Sequence, residues 1–164
     1  MSLAMISRAH GLVVAALAIA ALAGIGFVVG GVAVRASQDA PKPARSTWDG
    51  IYTKEQAARG EEIYLQHCAM CHGESLLGDP TIGAANLVGD FRQGWDARPL
   101  ARLFTKINRD MPGDSPGSLS RQQTADVLSY LLQKNNFPAG QQGLDPESDA
   151  LSQITFEATR SRAK

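Results

Sequence analysis

The sequence has only two cysteines among its 164 residues, and aromatic side chains make up 6% of it. So few cysteines exclude a disulfide framework as the basis of the fold. The formal net charge is zero, with 16 basic and 16 acidic residues. Two of the basic residues, Arg8 and Arg35, precede residue 37, which leaves 14 basic against 16 acidic residues. This mildly acidic balance argues against a nucleic-acid partner.

Both cysteines lie in one short run, Cys68-Ala69-Met70-Cys71-His72. The spacing C-x-x-C-H is typical of covalent attachment of a c-type haem. On a helix, at about 100° per residue, Cys68, Cys71 and His72 fall within an arc of roughly 60°. Two thiols on that face can add to the vinyl groups of the haem, while the imidazole projects toward the iron. The run predicts one covalent haem c, with Cys68 and Cys71 as thioethers and His72 as an axial ligand.

Three other uses of this cysteine pair are less favoured. A thioredoxin-like dithiol expects a βαβ context, whereas the surrounding residues follow a helical pattern. A zinc site needs four ligands in a tetrahedron, and His67, Cys68, Cys71 and His72 are too close in sequence to form one. A disulfide between the two cysteines would close a very short loop. It would remove little conformational entropy from the unfolded chain and would therefore stabilise the fold very little.

The second axial ligand is predicted by elimination among the four methionines. Met1 and Met5 precede a hydrophobic run, and Met70 lies between the two cysteines. Met111 remains, in a loop where Pro112 prevents a helix from continuing. A thioether opposite an imidazole raises the reduction potential and leaves no open coordination site. This pair of ligands predicts an electron carrier rather than an enzyme, with no small-molecule substrate.

Residues 11–34 form an uncharged, almost wholly apolar run of 24 residues, preceded by Arg8. The run is long enough to cross a bilayer, so residues 1–36 are expected to be a membrane anchor. Val34-Arg35-Ala36 also suits cleavage of a signal peptide, and both alternatives stay open. The basic residue before the run favours export of the residues on its C-terminal side. The expected location is the periplasmic side of the bacterial inner membrane, or the soluble periplasm after cleavage.

The exported part is divided by its composition. Residues 37–47, which contain two prolines, are predicted to be a linker, and residues 48–140 an ordered domain. Residues 141–164 are weakly patterned and are predicted to be a partly ordered, solvated tail. Three apolar residues of the tail could cover the domain surface: Leu151, Ile154 and Phe156.

Three helices are predicted within the domain. Thr53, with Gln56 three residues later, indicates a capping box and a helix that runs to about Cys68. A short amphipathic helix after Pro99 has apolar residues at Leu100, Leu103, Phe104 and Ile107. A second capping-box signal at Ser120 precedes a helix whose apolar stripe is Val127, Leu128, Leu131 and Leu132.

These motifs resemble the class I c-type cytochromes with a single haem, over about residues 48–140. The resemblance depends on the run Gly60-x-x-x-Tyr64-x-x-x-Cys68-x-x-Cys71-His72, the Met111-Pro112 loop and the last helix. It implies an all-α cytochrome c fold, with three to four helices around the haem and an N-terminal hydrophobic helix. It also implies that the first helix packs on the last, with Gly60 and Tyr64 against Val127, Tyr130 and Leu131.

Two further stretches look like those of cytochromes that accompany periplasmic quinoprotein and other dehydrogenases: Pro116-Gly117-Ser118-Leu119 and Phe137-Pro138-Ala139-Gly140. The resemblance therefore implies a single-electron carrier between such a dehydrogenase and a respiratory acceptor. A dedicated subunit of a larger oxidoreductase, with residues 141–164 wrapping a partner, is an alternative. A haem-based gas sensor or catalyst is a less favoured one.

Residues 73–94 are predicted to wrap one side of the haem. The family often has a proline there, two residues before a leucine, whose carbonyl accepts a hydrogen bond from the histidine ligand. The matching stretch here is Ala85-Asn86-Leu87, so Ala85 or a neighbour is expected to serve. Candidates for contact with the haem propionates are Trp95, Arg92 and Arg98. Candidates for docking of a redox partner at the apolar rim near Cys68 are Leu76, Leu77 and Ile82.

Overall fold

The computed structural model describes residues 45–160. Their elements are β1 (Arg45–Ser46), α1 (Lys54–His67), α2 (Ala69–His72), a 3₁₀ turn (Pro80–Ile82), α3 (Phe91–Trp95), β2 (Arg98–Pro99), α4 (Leu100–Asp110), α5 (Arg121–Lys134), α6 (Ser148–Ser152) and β3 (Ile154–Phe156). The predicted N-terminal hydrophobic segment, residues 1–36, lies outside the described residues. Within residues 45–160, no helix is both long and apolar enough to cross a membrane.

Helices α1 and α5 form the centre of the domain and cross at Gly60. A Cβ added to Gly60 would lie 1.9 Å from the carbonyl oxygen of Asp126 and 3.0 Å from Cβ of Tyr130. The two backbones therefore approach as closely as only a glycine permits. One turn further along α1, the rings of Tyr64 and Tyr130 lie with their centroids 5.2 Å apart. The predicted packing of the first helix on the last is confirmed.

The two predicted capping boxes differ in outcome. At α5 the box is complete, because Ser120 Oγ accepts from the Gln123 amide and Gln123 Oε1 accepts from the Ser120 amide. At α1, Thr53 Oγ1 accepts from the Gln56 amide at 3.2 Å. The side chain of Gln56 turns away instead and pairs with the backbone of Leu144, at 3.0 Å as donor and 2.6 Å as acceptor. Only half of the first box forms, because Gln56 holds the C-terminal segment.

Helix α5 ends at Lys134 in a Schellman motif, in which a left-handed residue closes the helix. Asn136 takes that role with φ 65°. Its amide donates to the carbonyl of Gln133, and the amide of Phe137 donates to the carbonyl of Leu132. The helix therefore ends before Pro138, which could not continue it.

The C-terminal residues correct the prediction of a solvated tail. Strand β3 lies between β1 and β2, parallel to β1 and antiparallel to β2. Five side chains of this segment are buried: Leu144, Leu151, Ile154, Phe156 and Ala158. The tail prediction is wrong for residues 141–160, because their apolar residues pack against elements far away in sequence. The idea that this segment wraps a partner loses its basis in the same residues.

The same sheet corrects two other predictions. Residues 45–47 are predicted to belong to the linker, but β1 pairs with β3 and Thr47 is fully buried. Thr47 Oγ1 accepts a hydrogen bond from the Glu157 amide at 3.1 Å, across the sheet. The described domain is mainly helical rather than all-α. Strands of two or three residues are too short to produce the alternating pattern that predicts a strand.

Two glycines meet near the ends of the segment predicted as the domain. A Cβ added to Gly140 would lie 1.9 Å from the carbonyl oxygen of Gly50, and Gly50 itself has φ 62°. The Gly140 amide donates to the carbonyl of Tyr52 at 2.7 Å. The two chain segments thus touch through their backbones, and neither glycine has room for a side chain.

Candidate haem site

The C-x-x-C-H run occupies the end of α1 and all of α2. Cys68 breaks the helix with φ −122° and ψ −35°, and α2 follows it directly. The His72 amide still donates to the Cys68 carbonyl at 2.9 Å, so the run keeps a helical turn. Tyr64 donates its hydroxyl proton to the carbonyl of Gly73 at 2.8 Å and fixes the residue after the histidine.

Both cysteines are free thiols and both are half-buried. Burial raises the pKa of the Cys68 thiol to about 11. This thiol therefore stays protonated at neutral pH in the unmodified chain. In the described part of the chain, no group of three or more His, Cys, Asp or Glu side chains could hold a metal ion by itself.

A cavity of 440 Å³ lies beside this run. Its size falls within the range of about 300–1,000 Å³ that is usual for ligand sites. All four residues predicted to attach the haem or bind its iron line the cavity: Cys68, Cys71, His72 and Met111. Most of the remaining wall is apolar and includes Leu87, Phe91, Trp95, Leu103, Ile107, Val127 and Leu131. An imidazole, a thioether and two thiols around an apolar cavity are the donor set that suits a c-type haem.

The ring of His72 is oriented by a backbone carbonyl. Its Nδ1 lies 2.8 Å from the carbonyl oxygen of Ala85. A carbonyl only accepts, so this contact assigns a proton to Nδ1, and in the neutral ring Nε2 then carries the lone pair that can bind a metal. The stretch Ala85-Asn86-Leu87 thus supplies an orienting carbonyl without a proline.

Met111 lies at the C-terminal end of α4. Its amide donates to the carbonyl of Ile107 at 3.1 Å, and its side chain is half-buried against the core. Leu103 and Ile107, on the same helix, also line the cavity. Met111 follows Ile107 by four residues, so it continues the apolar stripe of α4. The spacing of this stripe predicts α4 from sequence, and the helix brings the methionine to the cavity.

Lys106 also lines the cavity, although it is not among the residues predicted for the site. It lies between Leu103 and Ile107 on α4, and its position beside the apolar stripe is the signal that could have identified it. Its ammonium donates to Asp110 at 2.9 Å. Hydrogen bonds from the Arg109 guanidinium and the Lys106 ammonium hold the pKa of the Asp110 carboxyl well below its usual range.

Of the three residues predicted to contact the propionates, one lines the cavity. Trp95 lines the cavity, whereas Arg92 and Arg98 are not among the lining residues. The guanidinium of Arg98 lies over the Trp95 ring, 5.7 Å from its centroid. The propionate roles of the two arginines stay predictions without support from this geometry.

Of the three residues predicted for partner docking, two are exposed and one is buried. Leu77 and Ile82 are exposed, and Ile82 lines the cavity. The prediction is wrong for Leu76, which is fully buried. Its φ of 63° is a left-handed conformation that a sequence pattern does not reveal, and the backbone turn carries the side chain into the core. Met70 is missed, although it is 80% exposed and lines the cavity.

Comparison with known proteins gives one family match. Residues 55–131 match the family model described as cytochrome c oxidase, cbb3-type, subunit III. This segment includes the C-x-x-C-H run, Met111 and most of α5.

One solved structure with similarity is that of the sulfane dehydrogenase SoxCD from Paracoccus pantotrophus. The identity is 20% and the TM-score is 0.43, over 66% of this chain. The match covers 61% of the SoxCD chain, so this protein spans less than two thirds of that chain's length. No curated protein matches.

Proposed function

We propose that this chain, in which residues 55–131 form a cytochrome c domain, is a monohaem cytochrome that carries single electrons between redox proteins. A cytochrome c domain implies electron transfer. The observation that carries the proposal is the cavity in which Cys68, Cys71, His72 and Met111 meet. One haem c, bound there, would supply reversible one-electron chemistry at its iron.

The chain would hold this haem in two ways. Cys68 and Cys71 would form thioethers to it, and His72 Nε2 and the Met111 thioether would bind its iron. The proton on His72 Nδ1 is held by the Ala85 carbonyl, which makes the ring a stronger donor toward iron. The methionine thioether favours the reduced iron and raises the reduction potential. The apolar wall would limit the access of water to the haem. Ligation of the iron by both His72 and Met111 would leave no open coordination site, which suits a carrier rather than an enzyme.

The partners we propose are a periplasmic dehydrogenase as electron donor and a respiratory oxidase or complex as acceptor. Residues 11–34 would anchor the chain in the inner membrane or serve as a cleaved leader, so that the haem domain would lie in the periplasm. Docking would use the exposed apolar side chains of Met70, Leu77 and Ile82. Small, transient interfaces are typical of such encounters.

Mass spectrometry and absorption spectroscopy of the purified holoprotein test the proposal together. We expect a covalent mass increase of one haem, which is lost when Cys68 and Cys71 are both replaced by serine. The reduced protein should not bind carbon monoxide at neutral pH, because Met111 would already be bound to the iron. A mature protein without colour would contradict haem binding, and rapid binding of carbon monoxide would favour a gas sensor or catalyst.

A further inference from the structure

Residues 76–87 form a closed loop that presents Ala85 to His72. At its base, the Leu87 amide donates to the carbonyl of Leu76 at 2.8 Å. Further in, Asp79 and Ala84 exchange two backbone hydrogen bonds, of 3.0 and 2.9 Å. The position of the Ala85 carbonyl thus depends on the backbone geometry of the whole loop.

Asn135 connects this loop to helix α5. Its side chain is buried, with 3% of the residue exposed. Nδ2 donates to the carbonyl of Leu87 at 2.8 Å and to the carbonyl of Leu131 at 2.9 Å. Leu87 is two residues from Ala85 and lines the haem cavity. One amide group thus holds the base of the loop against the C-terminal end of α5.

The two side-chain atoms of Asn135 differ, because the nitrogen makes two hydrogen bonds and the oxygen makes none among the described residues. Asn135 Oδ1 is buried and has no hydrogen-bond partner among the described residues. Burying an unpaired oxygen costs free energy. An apolar side chain would avoid this cost but would leave the Leu87 carbonyl without its donor. The hydrogen bonds of this side chain are thus the two that Nδ2 donates, to Leu87 and Leu131.

We infer that Asn135 is a positioning residue, which sets the strength of the hydrogen bond between His72 Nδ1 and the Ala85 carbonyl. The inference rests on the proposed function, in which His72 is a ligand of the haem iron. A firm hydrogen bond at Nδ1 raises the basicity of Nε2, and a more basic ligand stabilises the oxidised iron. Loosening the loop should weaken this bond and make the reduction potential more positive.

The test compares Asn135→Leu with Gln56→Leu in the holoprotein. Gln56 is a matched control, because it is also a side-chain amide with 3% exposure and two hydrogen bonds to backbone groups. Its partner is Leu144, in the C-terminal segment and not in the loop. Both variants should lose stability, but only Asn135→Leu should shift the potential upward. Only that variant should speed solvent exchange of the His72 Nδ1 proton in NMR spectra, by at least about fivefold.

A second variant covers the case in which Asn135→Leu does not fold. In Asn135→Ser, the hydroxyl can bond the Leu131 carbonyl, as Ser129 Oγ does with the carbonyl of Ala125 at 2.8 Å. It is too short to reach Leu87, so it breaks only the contact to the loop. The same shifts are expected. Equal shifts in the Asn135 and Gln56 variants, or no shift in either Asn135 variant, would overturn the inference.

Failure of the proposed function gives a different result. If the purified protein binds no haem, the potential cannot be measured, and the electron-carrier proposal fails. Amide hydrogen exchange at Leu87 and Ala84 still tests the role of Asn135 in the loop. Faster exchange at both amides in Asn135→Ser, with no change in Gln56→Leu, supports that role, and unchanged exchange removes it.

Discussion

Met111 is the residue on which the proposed redox behaviour depends most directly. Replacement by alanine should leave the iron of a bound haem without its thioether ligand, because Met70, beside the two cysteines, is the only other methionine within residues 45–160 that lines the cavity. We expect a lower reduction potential and binding of carbon monoxide to the reduced protein, since the thioether favours ferrous iron. Potentiometric titration and carbon monoxide difference spectra measure the two effects. Met70→Ala, at an exposed position, is the matched control and should leave the potential unchanged.

Tyr52 gives a prediction on pH. Its hydroxyl donates to the Phe137 carbonyl at 2.7 Å, and burial raises its pKa above the ordinary value of 10.0. The folded chain therefore holds this proton more tightly than the unfolded chain. The resulting stability is fully present below pH 10.0 and is lost as the pH rises through the folded pKa.

Tyr52→Phe should therefore lower the free energy of unfolding by about 1 kcal/mol at neutral pH, through loss of this hydrogen bond. The difference from the unmodified chain should shrink above pH 10.0. Urea unfolding at neutral and alkaline pH measures it. A difference that stays constant with pH would show that the Tyr52 proton is not linked to folding.

Residue-level predictions from sequence succeed where the information is local. The run from Cys68 to His72 is recognised by its spacing alone, and the structure places its residues on one cavity together with Met111. Leu76 fails because its burial depends on a left-handed backbone angle. Lys106 is missed because a lysine beside the apolar stripe of a helix is common, and this signal gains meaning only once α4 is seen to line the cavity.

At the scale of elements, the crossing of α1 and α5 is the most demanding contact. Gly60→Ala should destabilise the domain by about 1–3 kcal/mol, because overpacking outweighs the better helix propensity of alanine. The new Cβ would meet the Asp126 carbonyl, a backbone atom that cannot rotate away.

Chemical denaturation measures this loss, and Gly94→Ala is its control. Gly94 lies in α3, and a Cβ added there would have no atom within 4 Å. This control should be neutral, or more stable by up to about 1 kcal/mol. Equal stability of the two variants would mean that the helices can move apart at Gly60 without cost.

The long helices are predictable from sequence because each one contains a capping residue or an apolar stripe within its own few turns. Ser120 and the apolar stripe of α4 identify two of them from a few neighbouring residues. The short elements α3, α6 and the three strands have no comparable pattern. Their stability comes from contacts such as Phe156 with Phe91 and Phe137, which are distant in sequence.

At the scale of the whole molecule, the C-terminal segment completes the fold. A chain that stops after Gly140 loses β3 and the partner of the buried Gln56 amide. Loss of the buried Phe156 side chain alone is expected to cost about 3–5 kcal/mol. We therefore expect this truncation to remove cooperative unfolding, as measured by circular dichroism in urea.

A chain that stops after Arg160 is the control for this truncation. It lacks only residues 161–164 and keeps every strand of the sheet. Its unfolding midpoint should match that of the full chain. If the shorter chain, ending at Gly140, unfolded at the same midpoint, the C-terminal segment would be a dispensable cover.

The contact between Gly50 and Gly140 constrains how related sequences can vary. A clash in a core is usually relieved when a neighbouring side chain becomes smaller, so that two positions change together. Here both partners are already the smallest residue, and each would strike the backbone of the other. No second substitution can compensate for the first. Homologues that keep this crossing must therefore keep both glycines, and those that lose one must route the chain differently.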